Sequence, residues 1–169
     1  KLNGIIAGGQ EAHKSAARLK QMNVPVLLSL NFPKRTASAS PDADPESLET
    51  LRTRAEVPKT AGKLAAAGVK FAFQSGGAAN MADYFLNAGK VVENGLGRRE
   101  TVRAMTLGAA EILGIDNRTG SIEVGKIANV IVVKGDLLGK DKYVTHVFVD
   151  GKLFEQKEPP KTPPAASGT

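Results

Sequence analysis

Residues 101–133, reading TVRAMTLGAAEILGIDNRTGSIEVGKIANVIVV, decide how the chain is read. Val102, Met105, Ala109, Ile112 and Leu113 recur at three- and four-residue steps, which predicts one apolar helical face. Gly114 follows the last apolar pair and suits a left-handed cap, where a residue without Cβ meets no steric penalty. Gly120 and Gly125 bracket a turn at residues 121–124, and residues 128–133 predict a buried strand running into Lys134-Gly135-Asp136.

Upstream, strand and helix patterns alternate. Ile5-Ile6-Ala7 is a short apolar run broken by Gly8-Gly9, and residues 10–23 read as a helix with Ala12, Ala16, Leu19 and Met22 on one side. The continuous apolar run at residues 24–30 predicts a strand of a parallel sheet covered on both faces. Residues 32–47 are rich in Pro, Ser, Ala and Asp without periodicity and read as a long mobile loop over the strand ends. Residues 47–67 are helical, divided by Pro58 and closed by Gly68. A strand follows at residues 69–74, ended by Ser75-Gly76-Gly77, and then a helix at residues 80–94. Beyond the opening stretch, residues 142–149 alternate as a strand, Asp150-Gly151 marks a tight turn, and Lys152-Leu153-Phe154 is the return. Residues 155–169 are Pro-rich and polar and are expected to be disordered.

Composition narrows the function classes. A chain of 169 residues fits one ordinary domain, and 41% hydrophobic residues suffice for a core. No apolar run approaches the roughly 18 residues of a membrane span, so no membrane partner is expected. The absence of cysteine removes disulfides, thiolate metal sites and Cys nucleophiles. A net charge of +6 raises the question of nucleic acid. Lys and Arg are scattered, however, with no basic run interleaved with aromatics, so the charge reads as a solvated surface and no nucleic-acid partner is expected. The chain begins at Lys1 without a signal-like segment, which reads as a processed or partly captured product, soluble and either cytoplasmic or exported.

The order of elements in residues 101–133 resembles the carboxy-terminal signature of the amidohydrolase superfamily, matched by Thr106, Ala110, Gly114, Gly120, Ser121, Ile122, Gly125, Lys126 and Ala128. Residues 64–72 and 144–151 resemble further parts of that family. The resemblance implies an α/β fold: the last three βα units of a (β/α)₈ TIM-like barrel over residues 1–114, and carboxy-terminal strands of a small composite β-sandwich over residues 115–154. A complete barrel has eight units and about 250 residues, so the remaining strands are expected from a longer polypeptide or a second chain. The implied activity is hydrolysis of amide or cyclic amide C–N bonds by the complete parent chain. That chain would hold zinc or another divalent metal, whereas this portion alone would be inactive and bind no cofactor.

In the family a metal-binding Asp follows the eighth strand, and the resemblance places Gly76 there, with Ala7-Gly8-Gly9 where the sixth strand usually ends in His. No catalytic residue and no metal ligand is therefore expected among these positions. Glu11, Asn31, Gln74, Ser75 and Asn80 lie near the expected barrel mouth as candidates for binding a small-molecule substrate. His13 and Asp83 are weaker candidates, and His146 falls mid-strand. Gly8-Gly9 and Gly76-Gly77 each follow a strand, so their N–H groups either face an anion or simply make tight turns. Two other readings stay open: a non-catalytic homologue binding a small molecule or peptide at the mouth, and a free-standing α/β anion-binding domain.

Overall fold

A computed structural model describes residues 4–34, 46–77 and 81–155. They divide into two compact units, Lys1–Lys126 and Ile127–Thr169. In the first, β1 (Ile6–Gly8) leads through a 3₁₀ turn (Ala12–Ser15) into α1 (Ala16–Gln21) and β2 (Val26–Ser29). Next come α2 (Leu48–Glu56), a 3₁₀ turn (Val57–Lys59), α3 (Thr60–Ala66) and β3 (Phe71–Gln74). The helices α4 (Met81–Glu93), α5 (Arg98–Met105) and α6 (Leu107–Leu113) complete the unit. Local chemistry accounts for the boundaries. Ser47 caps α2 by accepting from Thr50 N at 3.2 Å, and Pro58 enters at the start of the 3₁₀ turn, where its missing N–H costs nothing. Gly68, at φ +67°, closes α3 by donating to Ala65 O.

The strands pair in parallel in the order β1-β2-β3, with Ala7 beside Leu27 and Leu27 beside Ala72. Val26, Leu28 and Leu30 are buried, but the intervening Leu27 and Ser29 are only half-buried and Ala7 is exposed. The apolar run at residues 24–30 is thus covered fully on one face, not two. Among the described residues neither β1 nor β3 has a strand on its outer edge.

Three further expectations need correction. The helix predicted for residues 10–23 begins as a 3₁₀ turn, and Met22, assigned to its apolar side, is 56% exposed. The helix opening residues 101–133 is two helices, broken at Thr106 (φ −128°, ψ −98°). At the break Thr106 Oγ1 donates to Val102 O at 2.8 Å, and a Cβ on Gly108 would lie 3.0 Å from Arg103 O. The break resets the helical phase: Thr101, Ala104, Gly108 and Ala110 are buried, while Val102 and Leu113 are exposed. Small residues win this face because α5 and α6 both pack on β3. Gly114 does take the left-handed cap, at φ +69°.

The third correction concerns the second unit, an antiparallel sheet of β4 (Val130–Gly135), β5 (Lys142–Val149) and β6 (Lys152–Glu155). Instead of a buried strand at residues 128–133, β4 leaves Ile131 and Val132 exposed. A register shift at Val132/Val133 interrupts the β4–β5 ladder. Asp150 and Gly151, both at positive φ, form the β5–β6 turn. Asn129 holds it by accepting from Asp150 N at 2.9 Å. Of the expected loop at residues 32–47 and tail at residues 155–169, residues 35–45 and 156–169 lie outside the described residues.

Candidate binding site at the strand ends

Parallel strands bring their carboxy ends to one side, and here the residues just past β1, β2 and β3 are joined by side-chain amides. Gln10 Nε2 donates to Asn31 O at 2.8 Å, and Asn31 Nδ2 reaches Gly76 O at 3.4 Å. Asn31 N donates to Ser29 Oγ at 3.1 Å, and Gln74 Nε2 donates across the sheet to Leu27 O at 3.2 Å. Asn31 therefore ties all three strand ends together. Beneath it, Asn87 on α4 donates to Leu30 O at 2.7 Å from a buried position. Leu28, Leu30, Val57, Ala61 and Phe73 leave a void of only about 10 Å³.

The sequence candidates divide. Asn31 and Gln74 belong to this cluster, and Ser75 is half-buried beside it. Glu11 does not join it: its carboxylate pairs with Lys14 and lines a separate cleft of about 520 Å³ with His13, Glu49 and Arg52. Asn80 lies outside the described residues. Asp83 is paired with Lys34 at 2.8 Å. Gln10 was not singled out from sequence, because only the strand register brings it to Asn31, whereas Ser29, two residues before Asn31, meets it through a local side-chain turn.

His13 is held structurally. Thr60 Oγ1 donates its hydrogen to Gln10 O at 2.7 Å, so its contact with His13 Nδ1 at 2.9 Å requires the ring to donate. That fixes the Nδ1–H tautomer and leaves the lone pair on Nε2. Burial, then the neighbouring Lys63, pull the His13 pKa below its ordinary value, so the ring is neutral at pH 7. Nearby, the half-buried Glu56 is held down to about 2 by hydrogen bonds from Lys59 and Lys63. His146 contacts Thr145 Oγ1 at 2.9 Å within β5.

Gly8-Gly9 behaves differently from an anion cradle. A Cβ on Gly9 would stand 2.7 Å from Val26 Cγ1, so that glycine permits close backbone approach to β2. The element after it is a four-residue 3₁₀ turn and not an α-helix start. Nor does the site fit a metal. No group of three or more His, Cys, Asp or Glu that could hold an ion occurs among the described residues. The strand ends present neutral amides, a serine and glycines.

A mixed α/β unit with parallel strands whose polar groups gather at one end is the class of protein defined here. The amidohydrolase family model matches residues 16–154, and the chain belongs to that family. Among solved structures, an amidohydrolase from Thermotoga maritima is similar at 25% identity and a TM-score of 0.73, over 90% of this chain and 37% of its own. A Xaa-Pro dipeptidase with bound methionine in its active site matches at 23% identity and a TM-score of 0.64, over 90% of this chain and 40% of its own. An adenosine deaminase from Xanthomonas campestris with bound zinc matches at 25% and 0.58, over 88% and 36%. The chain thus spans about two-fifths of the length of these structures. No curated protein matches it in sequence. No helix among the described residues is long and apolar enough to cross a membrane.

Proposed function

We propose that this chain supplies the last three βα units of a (β/α)₈ barrel, and strands of an adjoining small sandwich, to an amidohydrolase-like hydrolase of C–N bonds. The observation that carries the reading is the similarity over nine-tenths of this chain to little more than a third of a larger amidohydrolase. That neither β1 nor β3 has a strand on its outer edge among the described residues agrees with it, since edges and half-covered faces are stabilised by further strands. The dipeptidase and the deaminase are named for breaking C–N bonds, which supports that bond class for the complete protein. In this role the Asn31 cluster forms three of the eight strand ends around a small-molecule pocket. Asn31, Gln74 and Ser75 offer neutral hydrogen bonds that orient a substrate, while metal ligands and the general base come from elsewhere in the barrel. The missing strands belong to the rest of the same polypeptide or to a partner chain.

A second reading has a specific observation behind it: among the described residues no group of three or more His, Cys, Asp or Glu could hold an ion, which agrees with a homologue that binds without hydrolysing. A free-standing anion-binding domain is disfavoured by the open sheet edges and by the packing role of Gly9. Zinc content and turnover separate the first two. Stoichiometric zinc and hydrolysis of dipeptides or N-acyl amides by the complete reading frame are expected; tight ligand binding without turnover selects the second reading.

A further inference from the structure

We infer that position 76 is committed to glycine by Ser29, so that a hydrogen-bonded neutral brace stands where the family's last strand carries its Asp. The inference rests on reading β3 as that last strand. Gly76 sits at φ +63°, a region that side chains other than glycine's occupy at a cost. The space beside it is also taken. A Cβ built there would stand 1.9 Å from Ser29 Oγ, 2.9 Å from Ser29 Cβ and 3.2 Å from Asn31 Cβ. The first two separations are below any real contact: Ser29 Cβ is fixed by its backbone, and Ser29 Oγ could rotate away only by giving up the Asn31 N–H. Ser29 Oγ is not idle, because it accepts the Asn31 N–H. Asn31 in turn reaches Gly76 O and accepts from Gln10, so moving Ser29 disturbs the whole brace.

Gly76 is therefore more than a missing ligand. The neighbouring strand has closed the volume through which a carboxylate would project, and Gly76→Asp alone cannot rebuild it. Conversely, Gly77 beside it has nothing within 4 Å of a Cβ, so the crowding is local to position 76. The brace holds the three strand ends together by neutral hydrogen bonds.

The test is a double-mutant cycle on the full chain with thermal unfolding as readout. Gly76→Ala is expected to lower the midpoint by roughly 5 °C or more, given a few degrees per kcal/mol for a chain of this size. Ser29→Gly removes the two closest atoms, so Gly76→Ala should lower the midpoint less in the Ser29→Gly background than in the parent chain. Gly77→Ala reports the cost of positive φ without crowding. A Gly76→Ala loss as large in the Ser29→Gly background as in the parent chain, or a Gly76→Ala midpoint equal to the parent's, overturns the proposal. So does a Gly76→Asp chain that keeps the parent midpoint and takes up one zinc in equilibrium dialysis. These readouts require no hydrolysis, so they can fail while the hydrolase reading stands.

Discussion

At the scale of single residues, the polar groups under the strand ends set measurable quantities. Asn87 is buried and donates to Leu30 O, which also accepts from Phe32 N. Because the carbonyl keeps one partner, Asn87→Leu is expected to cost only about 1 kcal/mol in urea unfolding, the low end for a buried hydrogen bond. His13 yields a pH dependence whose sign is determined. Its folded pKa lies below the unfolded value, so the unfolded chain binds more protons in the window between them. The stability it contributes is full above about pH 6.5 and falls as pH drops through that value towards the folded pKa. Urea midpoints measured from pH 7.5 to 5 should decline less in His13→Gln than in the parent chain. Equal declines would show that His13 is not the titrating group. That His13 is a pin for Thr60 could not be read from sequence, because its partner lies 47 residues away.

At the scale of elements, the glycines of the signature stretch separate backbone strain from crowding. Gly114 and Gly120 both have positive φ, yet a Cβ on Gly114 meets nothing within 4 Å. On Gly120 it would lie 2.7 Å from Ala110 Cβ and 3.0 Å from Leu107 Cα. Gly114→Ala should therefore cost about 1 kcal/mol, and Gly120→Ala clearly more, about 2–4 kcal/mol, by chemical denaturation. The Gly120 turn is packed against α6, whereas the Gly114 cap is open. The turn itself is closed by Lys126, whose largely buried ammonium donates to Ser121 Oγ at 2.6 Å and pairs with Glu123 at 3.2 Å. This gives the signature a structural meaning: its Gly, Ser and Lys hold one turn and touch no part of the strand-end cluster. The period of residues 101–113 named a helix correctly but the wrong face, because the break at Thr106 lies between two runs that share one period on paper.

At the scale of the whole molecule, the first unit carries a three-stranded parallel sheet with one fully covered face. β2, paired on both sides, should show the slowest amide exchange of the three strands, and β1, with Ile5 and Ile6 exposed, faster exchange. Hydrogen-exchange mass spectrometry on peptides covering residues 4–9 and 24–30 checks this. Equal protection of β1 and β2 would mean that something pairs the outer edge, as self-association of the chain would do.

The sequence by itself determined the family, the alternation of strand and helix, the Pro58 division, the Gly68 and Gly114 caps and the Asp150-Gly151 turn. Each depends on a few adjacent residues, on a local period or on a backbone conformation that one residue type tolerates. Tertiary structure alone decided which helical faces are buried, that Glu11 turns away from Asn31, and that Gln10 joins it. Those outcomes depend on strand register, which brings residues tens of positions apart within hydrogen-bonding distance. Gly76 shows both halves: its identity is legible in the sequence, but the side chain that keeps it glycine belongs to another strand.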